Sequence, residues 1–473
     1  MEKDLNMKIC FYSQASDHLL IEKIILEERF RSLFKWDELL LIADNRTYAT
    51  ELENLSKNVL YLSDTKIDNS SKYVPSNNYQ IAMKRYTLIN YNSNKQERVF
   101  QSIFSVINFF FKKNNIDSIF FAQEIQSMEG VMILQGAKRN RVKIFSPHTT
   151  RLYKKSFFND SENEDFYFCS KDLDDDTVKK VATDLLQNFI KTKKLPYPPI
   201  NNNNLLKKPI LKRLYTRIYR IIVNKERVEF PDILFSIKEK FRFLDFGNLF
   251  LRNLTYNRIP KVNSIDDLPK KFIFFPLQIF PEASLNLRSP FFKDQLRLID
   301  LIRFSMPEDY KLIIKEHPVI FNLRVQSSRN SRFYNQISKL SGVRFSSMDL
   351  NTYELIQKSS LTISISGTAV FEAYLLGKPS FTIADTSFSW MTNSHHINFN
   401  NFSETIQNYL SHEVKRDQIL KSLYLYLKNI KNFTPLTSEH NPEFSFSEKN
   451  ISEYIDGISQ FNDSFYKKNN FTK

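Results

Sequence analysis

Short apolar, β-prone runs alternate with amphipathic helical patterns along most of the chain. In its first part the β-prone runs are 7–13, 37–44, 58–64, 117–124 and 142–148. Helical patterns lie between them near 17–35, 98–115 and 127–139. This alternation predicts an α/β domain with a parallel sheet and crossover helices, followed by a polar helix near 174–193.

A second alternating block begins at Lys271. Its predicted strands are 271–275, 310–316, 343–347, 361–366 and 379–385. Its predicted helices lie near 291–305, 330–340, 350–358 and 368–377. The expected fold class is therefore α/β, with two doubly wound, Rossmann-like domains that face each other. Amphipathic helices are expected from about 400 to 460.

Breaker residues separate the two blocks. The segment Pro196-Tyr197-Pro198-Pro199 is followed by four asparagines at 201–204, which predicts a domain boundary. The expected organisation is an N-terminal domain over 1–200, a basic helical linker over 201–265, a second domain over 266–430 and a C-terminal helix and tail over 431–473.

The linker carries eight basic residues and one acid within 205–228. Apolar residues recur there at every fourth position, at Ile210, Leu214, Ile218 and Ile222. A helix with this pattern has an apolar stripe beside a cationic face. Two interpretations stay open: a solvated helix that packs through its stripe, or a helix that contacts an anionic membrane surface or a polyanionic acceptor.

Composition narrows the class of protein. The 473 residues carry a formal charge of +15, which points to anionic partners. Two cysteines are too few for a disulfide framework and fit a reducing compartment. The opening residues predict no export signal, and no apolar run approaches the roughly 20 residues that span a bilayer. We therefore expect a cytoplasmic protein.

Several common catalytic motifs are missing from the sequence. There is no Walker A, GxGxxG, HExxH or GxSxG pattern. This argues against P-loop ATPases, Rossmann dehydrogenases, zincins and serine hydrolases.

The strongest chemical signal is a predicted strand that leads into Ser366-Gly367-Thr368, where a helix begins. Gly377 and Pro379 end that helix. Ligands of open α/β sheets bind at the carboxyl ends of strands, and a helix that begins there directs free N–H groups at an anion. We therefore predict a phosphate site in which Gly367 lets the backbone approach the phosphate closely, and the hydroxyls of Ser366 and Thr368 donate to its oxygens.

Glu372 lies four residues after Thr368, on the same face of the predicted helix. A carboxylate at that position can accept hydrogen bonds from a ribose diol. The alternative is that Ser366 only caps the helix and Glu372 is only an exposed acid.

A second polar cluster, Lys315-Glu316-His317, ends the predicted strand 310–316, and Pro318 turns the chain. An imidazole at the carboxyl edge of a sheet can bind a phosphate or protonate a leaving group. His317 is therefore a catalytic and donor-binding candidate, and Lys315 and Glu316 are donor-binding candidates. A capped structural histidine is the alternative.

The loop 276–284 follows the first strand of the second block. Gln278, Glu282 and Ser284 in this loop are candidates to contact a donor or acceptor. Its two prolines fit equally well with a segment that only shapes a turn.

In the first domain Glu124 ends a predicted strand and is the candidate general base, in the cleft expected between the domains. Weaker candidates are Asp17, His18 and His148. Each is at least as compatible with a structural role. The pair His395-His396 lacks the partner spacing of a closed metal site, so no metal is expected.

These motifs together resemble the bacterial capsule polysaccharide synthesis family, a group of GT-B-type glycosyltransferases that includes Kdo transferases. The matching elements are the PL-x-x-x-PEAS loop at 276–284, the KEHP strand end at 315–318 and the SGTAxxEAxxxGKP segment at 366–379. The phrase Arg332-Phe333-Tyr334 also fits the family. Relatives usually carry His and Gln where this chain has Gln278 and Phe280, and a Phe-Gly pair near Ala384-Asp385-Thr386.

The resemblance implies a GT-B-like fold and transfer of a sugar from a nucleotide donor, without a metal or other cofactor. A CMP-linked acidic sugar, such as Kdo or a sialic-acid-like sugar, is favoured over a UDP-linked one. The implied acceptor is a surface or capsular glycan, or a lipid-linked one, at the inner face of the cell membrane. By analogy, His317, Ser366 and Thr368 hold the donor phosphate and Glu372 the ribose.

Two other functions fit the same sequence. A nucleotide-sugar 2-epimerase shares the expected architecture. A non-catalytic protein that binds polyanions or glycans would account for the charge of +15. Nucleic-acid binding is not expected, because no recognised motif for it occurs.

Overall fold

The computed structural model describes residues 7–14, 17–65, 93–125, 127–161, 166, 168, 174–195, 246–279, 289, 292, 295–317, 320, 329–394, 397–435 and 446–470. They form two compact units. The first contains mainly the described residues up to 168 and those from 429 onward, and the second contains 174–194 and 246–428.

Strands and helices alternate in both units. The strands are β1 (Met7–Ser13), β2 (Trp36–Ala43), β3 (Asn58–Tyr61), β4 (Ser118–Phe121), β5 (Lys143–Thr149), β6 (Ser156–Asn159), β7 (Lys261–Val262), β8 (Phe272–Pro276), β9 (Lys311–Lys315), β10 (Val343–Ser346), β11 (Leu361–Ser364) and β12 (Ser380–Thr382). The helices are α1 (His18–Leu26), α2 (Glu28–Leu33), α3 (Ala49–Leu55), α4 (Ser93–Asn114), α5 (Met128–Arg139), α6 (Asp176–Thr192), α7 (Phe246–Arg258), α8 (Gln295–Ser305), α9 (Ser331–Ser338), α10 (Thr352–Lys358), α11 (Thr368–Leu375), α12 (Phe402–Leu410), α13 (Arg416–Asn429) and α14 (Glu448–Asn470).

The first unit is built on a six-stranded sheet in the order β3-β2-β1-β4-β5-β6. All neighbouring pairs are parallel except β5 and β6. The chain builds outward from β1 to β3 and then returns to place β4 on the other side of β1. The order therefore reverses between β1 and β4, which is where ligands of such sheets bind.

The C-terminal helix α14 belongs to this first unit. Tyr454 is 1% exposed, and its hydroxyl donates to the carbonyl of Phe121 at 2.9 Å. Gly457 lies against two rings: a Cβ there would come within 2.9 Å of Phe433 and 3.1 Å of Phe158. The sequence assigned 431–473 to a separate helix and tail, whereas this packing makes α14 part of the first core.

The second unit holds a six-stranded sheet in the order β12-β11-β8-β9-β10-β7, and every neighbouring pair is parallel. Its central strands are apolar and buried on both faces, as parallel strands covered by helices should be. The strand order reverses between β8 and β11. The predicted α/β class with two doubly wound sheets is confirmed.

Helix α6 is grouped with the second unit, although the sequence placed it in a domain ending at 200. Lys428 donates to Asp175 at 2.8 Å, and the ring of Phe189 meets that of Tyr353 at 5.9 Å. These contacts bring the helix to residues of the second unit. The predicted linker helix at 205–228 lies outside the described residues.

Helix α11 ends as its sequence predicts. Gly377 has φ +73°, its N–H donates to the Tyr374 carbonyl, and the N–H of Lys378 donates to the Ala373 carbonyl at 2.9 Å. This pair of bonds is a Schellman motif, which favours glycine at the left-handed position. Within the described part of the chain, every helix is too short or too polar to cross a bilayer.

Candidate functional site

Three of the motifs predicted from the sequence meet at one edge of the second sheet. Strand β8 pairs in parallel with β11 on one side and with β9 on the other. Their carboxyl ends therefore lie side by side. Gln278 follows β8, His317 follows β9 and Ser366 follows β11. The reversal of strand order between β8 and β11 places the cluster where an open α/β sheet offers a crevice.

The Gln278 side chain bridges this reversal point. Its Nε2 donates to Ser366 Oγ at 3.0 Å, and its Oε1 accepts from the Ser366 N–H at 3.0 Å. Ser366 is only 1% exposed, so its hydroxyl belongs to this bridge. Gly367 and Thr368, the next two residues, are half-buried and form the accessible part of the turn.

The backbone of Gln278 is held from behind. Its N–H donates to Gln295 Oε1 at 3.0 Å, and its carbonyl accepts from Gln295 Nε2 at 2.9 Å and from the guanidinium of Arg329. Gln295 and Arg329 are both buried. Gln278 is thus fixed at its main chain and its side chain, an arrangement that pre-organises the edge for a ligand.

Glu316 anchors the neighbouring strand end. Its carboxylate accepts hydrogen bonds from the Arg329 guanidinium, from Tyr334 Oη at 2.7 Å and from the His317 N–H at 2.7 Å. The side chain of Glu316 is 0% exposed and that of Arg329 is 3% exposed. In this structure Glu316 positions other groups, and its predicted contact with a donor stays a prediction.

Lys315 also has internal partners. Its ammonium donates to the carbonyl of Met348 at 2.9 Å and to that of Leu350. Burial lowers the pKa of Lys315. The side chain ties β9 to the segment after β10, a role that the strand-end pattern did not predict.

The turn before α11 is compact. Ser364 Oγ accepts the Gly367 N–H at 3.1 Å, and a Cβ on Gly367 would lie 2.5 Å from that oxygen. This position therefore requires glycine for space, since its φ of −77° is open to any residue. The N–H groups of Thr368 and Ala369 find no acceptor among the described residues. They are the anion-facing donors that a helix start provides.

Glu372 lies one turn into α11 and is 7% exposed. Burial raises the pKa of Glu372 to about 7, although hydrogen bonds from the side chains of Thr368 and Tyr353 lower it in part. The Thr368 hydroxyl thus faces Glu372 in this structure. The exposed acid considered above as an alternative is not what the structure shows.

His317 is half-buried at the end of β9, directly after Glu316. Burial lowers its pKa, the charge of Glu316 opposes this, and that of Arg329 adds to it. The imidazole is therefore mainly neutral near pH 7, so one ring nitrogen can donate a hydrogen bond while the other accepts one.

In the first unit Glu124 is buried at the end of β4. Thr149 Oγ1 donates to its carboxylate at 2.9 Å, and His148 Nδ1 lies 3.8 Å from it. His148 Nε2 is 3.1 Å from the Ser161 carbonyl, so this nitrogen carries the proton. The structure brings Glu124 and His148 together, a pairing the sequence did not predict.

The other first-unit candidates lie nearer β1. Asp17 accepts from the Gln14 N–H at 2.9 Å and from the Gln123 amide. The ring of His18 lies 4.5 Å from that of Tyr48.

Sequence reasoning missed a half-buried carboxyl group beside the reversal point of the first sheet. Asp44 follows β2, and Tyr12 Oη donates to its Oδ1 at 2.5 Å. Burial, together with the charges of Glu129 and Asp17, raises the pKa of Asp44 to about 8. An acid directly after a buried apolar strand was the available signal.

Glu282, Ser284 and the pair His395-His396 lie outside the described residues. Among the residues that the structure does describe, no three His, Cys, Asp or Glu side chains are grouped as metal ligands.

The second unit is thus a doubly wound α/β domain with a pre-organised, anion-compatible turn where its strand order reverses. Residues 252–425 of this unit match the family described as capsule polysaccharide biosynthesis protein. This match confirms, for that segment, the resemblance predicted from its motifs.

Among curated proteins, the chain is similar to Protein FixF of Sinorhizobium fredii (strain NBRC 101917 / NGR234). The two are 31% identical over 126 residues, which cover 26% of this chain and 29% of FixF. The match thus spans less than a third of FixF.

Solved structures with similarity over most of the chain include two structures of KpsC from Thermosulfurimonas dismutans. The β-Kdo 2,4 transferase is 10% identical, with 72% of this chain and 87% of that chain covered and a TM-score of 0.35. The β-Kdo 2,7 transferase is 11% identical, with 75% and 89% covered and a TM-score of 0.31. UDP-GlcNAc 2-epimerase from Methanocaldococcus jannaschii is 12% identical, with 96% and 100% covered and a TM-score of 0.23.

Proposed function

We propose that this protein is a glycosyltransferase of capsule polysaccharide synthesis, which moves a sugar from a nucleotide donor to a glycan or lipid-linked acceptor. One observation carries the proposal: the segment that matches the capsule family, 252–425, contains the turn between β11 and α11 at the reversal point of its sheet. That turn offers two N–H donors that have no acceptor within the described part of the chain, and a close approach that depends on glycine.

The donor phosphate binds at the N–H groups of Thr368 and Ala369, where the helix dipole favours negative charge. His317, neutral at rest, donates a hydrogen bond through a ring N–H to the departing phosphate. The Thr368 hydroxyl turns from Glu372 to the ligand, which leaves the carboxyl of Glu372 to accept from the ribose. Ser366 and Gln278 shape the turn, and Glu316 with Arg329 holds Gln278 in place.

The donor is a CMP-linked acidic sugar in preference to a UDP-linked one, and the reaction needs no metal. The acceptor belongs to the first unit, where Glu124 is the candidate general base. The Asp44 carboxyl, with its pKa raised to about 8, is mostly protonated at neutral pH and cannot take that role in this state. The enzyme acts in the cytoplasm at the inner face of the membrane.

A thermal-shift screen of CMP-, UDP-, GDP- and dTDP-linked compounds tests the proposal, because a ligand that binds only the native state raises the melting temperature. We expect a shift with CMP compounds that His317→Ala and Glu372→Gln reduce. Glu354→Gln, an exposed acid on α10, is the matched control and should respond like wild type.

Transfer is then measured with the donor that binds, in the presence and absence of a capsular glycan. Release of nucleotide that depends on the acceptor supports transfer. The absence of any nucleotide shift, or unchanged shifts in both site variants, contradicts the proposal. Turnover of the nucleotide-sugar without an acceptor would indicate an epimerase or a hydrolase instead.

A further inference from the structure

A cavity lies in the second unit, at the opposite edge of its sheet from the phosphate turn. It has a volume of about 370 Å³, within the roughly 300–1,000 Å³ range of small-molecule sites. Its lining includes Tyr374, at the C-terminal end of α11, and Ser380, the first residue of β12. Tyr374 lies six positions after Thr368 on α11, which places the two residues about 9 Å apart along the helix.

The lining of this cavity carries no formal charge. Its thirteen residues include no Asp, Glu, Lys or Arg, although such residues make up 25% of the chain. A phosphate or a carboxylate would find no counter-charge here. The cavity therefore suits an uncharged ligand.

Three aromatic side chains form its walls, and the hydroxyl or indole N–H group of each is hydrogen-bonded to another group of the protein. Tyr374 Oη lies 2.9 Å from Ser422 Oγ, Tyr409 Oη donates to the Thr392 carbonyl at 2.7 Å, and Trp390 Nε1 donates to the Ser387 carbonyl at 3.0 Å. These bonds fix the rings. What they offer to a ligand is apolar ring surface.

The rim supplies uncommitted polar groups. The side chains of Asn408, His412 and Gln418 are exposed, line the cavity and find no partner among the described residues. Carboxamides both donate and accept hydrogen bonds, as hydroxyl groups do. A neutral pyranose matches this lining, because its C–H face can pack on the aromatic rings and its hydroxyl groups can hydrogen-bond the carboxamides.

We propose that this cavity binds one neutral sugar residue of a glycan chain. Its distance from the phosphate turn allows a long acceptor to be held at a second point, which raises the effective concentration of the chain at the protein. This role for a long acceptor rests on the proposed function, whereas binding of the sugar itself does not.

Trp390 is the natural reporter, because the protein has two tryptophans and only this one lines the cavity. In the full chain carrying Trp36→Phe, we would titrate glucose, galactose, mannose, N-acetylglucosamine, maltose and lactose and follow Trp390 fluorescence. At least one neutral sugar should saturate the signal. Glucuronic acid, matched to glucose but charged, should bind at least tenfold more weakly.

The double variant Asn408→Ala/Gln418→Ala should weaken binding about tenfold or more, equivalent to about 1.4 kcal/mol. Gln407→Ala is the matched control, since Gln407 is exposed on the same helix and does not line the cavity. CMP binding at the other edge should be unaffected by either change, which shows that the protein is folded and separates this test from that of the proposed function.

Three results would overturn the proposal. They are no saturable response to any of these neutral sugars, equal affinity in the double variant and the Gln407→Ala control, or preference for the charged sugar. Loss of CMP binding alone bears on the proposed function and leaves the cavity's test intact.

Discussion

The turn before α11 yields a sharp prediction, because a single methyl group should disturb it. In Gly367→Ala the new Cβ would meet Ser364 Oγ at 2.5 Å, closer than such atoms approach. The hydroxyl must rotate away, and it then no longer accepts the N–H of residue 367. The lost hydrogen bond costs about 1 kcal/mol and the forced rotamer about another 1 kcal/mol.

Ser364→Ala isolates the first of these contributions. It removes the acceptor without adding a clash, so we expect a loss of about 1 kcal/mol. In the double variant the new methyl group at position 367 meets the Cβ of residue 364 at 3.5 Å and Gln278 Nε2 at 3.8 Å, both ordinary contact distances. The double variant should therefore lose about 1 kcal/mol in total, where independent effects would give about 3 kcal/mol.

The assay is urea unfolding of the Trp36→Phe protein, in which Trp390 reports on the second unit alone. The midpoints for the parent, the two single variants and the double variant form a cycle. A coupling energy of about 2 kcal/mol in favour of the double variant is expected. Additive losses would refute the claim that space beside Ser364 is what demands glycine.

Three further predictions concern buried groups. Burial raises the pKa of Glu372 from 4.5 to about 7, so ionisation of this carboxyl is disfavoured in the folded state. The stability that the protonated carboxyl gives to the folded state is fully present below about pH 4.5 and is lost as the pH rises through about 7. Because glutamine does not ionise, Glu372→Gln should gain stability relative to wild type as the pH rises from about 4.5 to about 7, by up to roughly 3 kcal/mol. If the urea midpoints of variant and wild type differ by the same amount at these two pH values, the burial argument is contradicted. Glu316→Gln or Arg329→Met, each of which removes one partner of the buried ion pair, should lower the free energy of unfolding by about 3–5 kcal/mol. The double variant should lose less than the sum of the two single losses. Strictly additive losses in urea unfolding would argue against the pair. Gly457→Ala should destabilise the first unit by about 1–3 kcal/mol, although alanine favours helices, since the methyl group meets Phe433 and Phe158; Ser459→Ala, half-buried on the same helix, is its control, and equal hydrogen-exchange protection in both would be the opposing result.

Alternation of apolar runs and helical patterns was sufficient to predict both parallel sheets. Strand β1 begins and ends where the sequence placed it, at Met7 and Ser13, because its apolar residues at 9–12 form the buried run typical of a parallel strand. The pattern missed β6 and β7. These are edge strands of four and two residues, too short for a clear periodicity to appear.

At the site, the positions of the motifs were predictable but the partners of their side chains were not. Strand ends and a glycine-helix start placed Ser366 and His317 at the sheet edge. That Lys315 would bond carbonyls of the segment after β10, or that Gln278 would be clamped by Gln295 and Arg329, depends on contacts between residues distant in sequence. Tyr334 belongs to the segment Arg332-Phe333-Tyr334 that fits the family, but its hydrogen bond to Glu316 could not be predicted from that resemblance.

The most direct test of donor binding is the response of individual backbone amides of the full chain to CMP, measured by nitrogen–proton correlation spectra. If the phosphate is held by the start of α11, the resonances of Thr368 and Ala369 will move progressively and saturate, while that of Gly377 at the other end of the helix stays in place. Saturable binding of CMP that leaves Thr368 and Ala369 unmoved would contradict the assignment of this turn as the phosphate site.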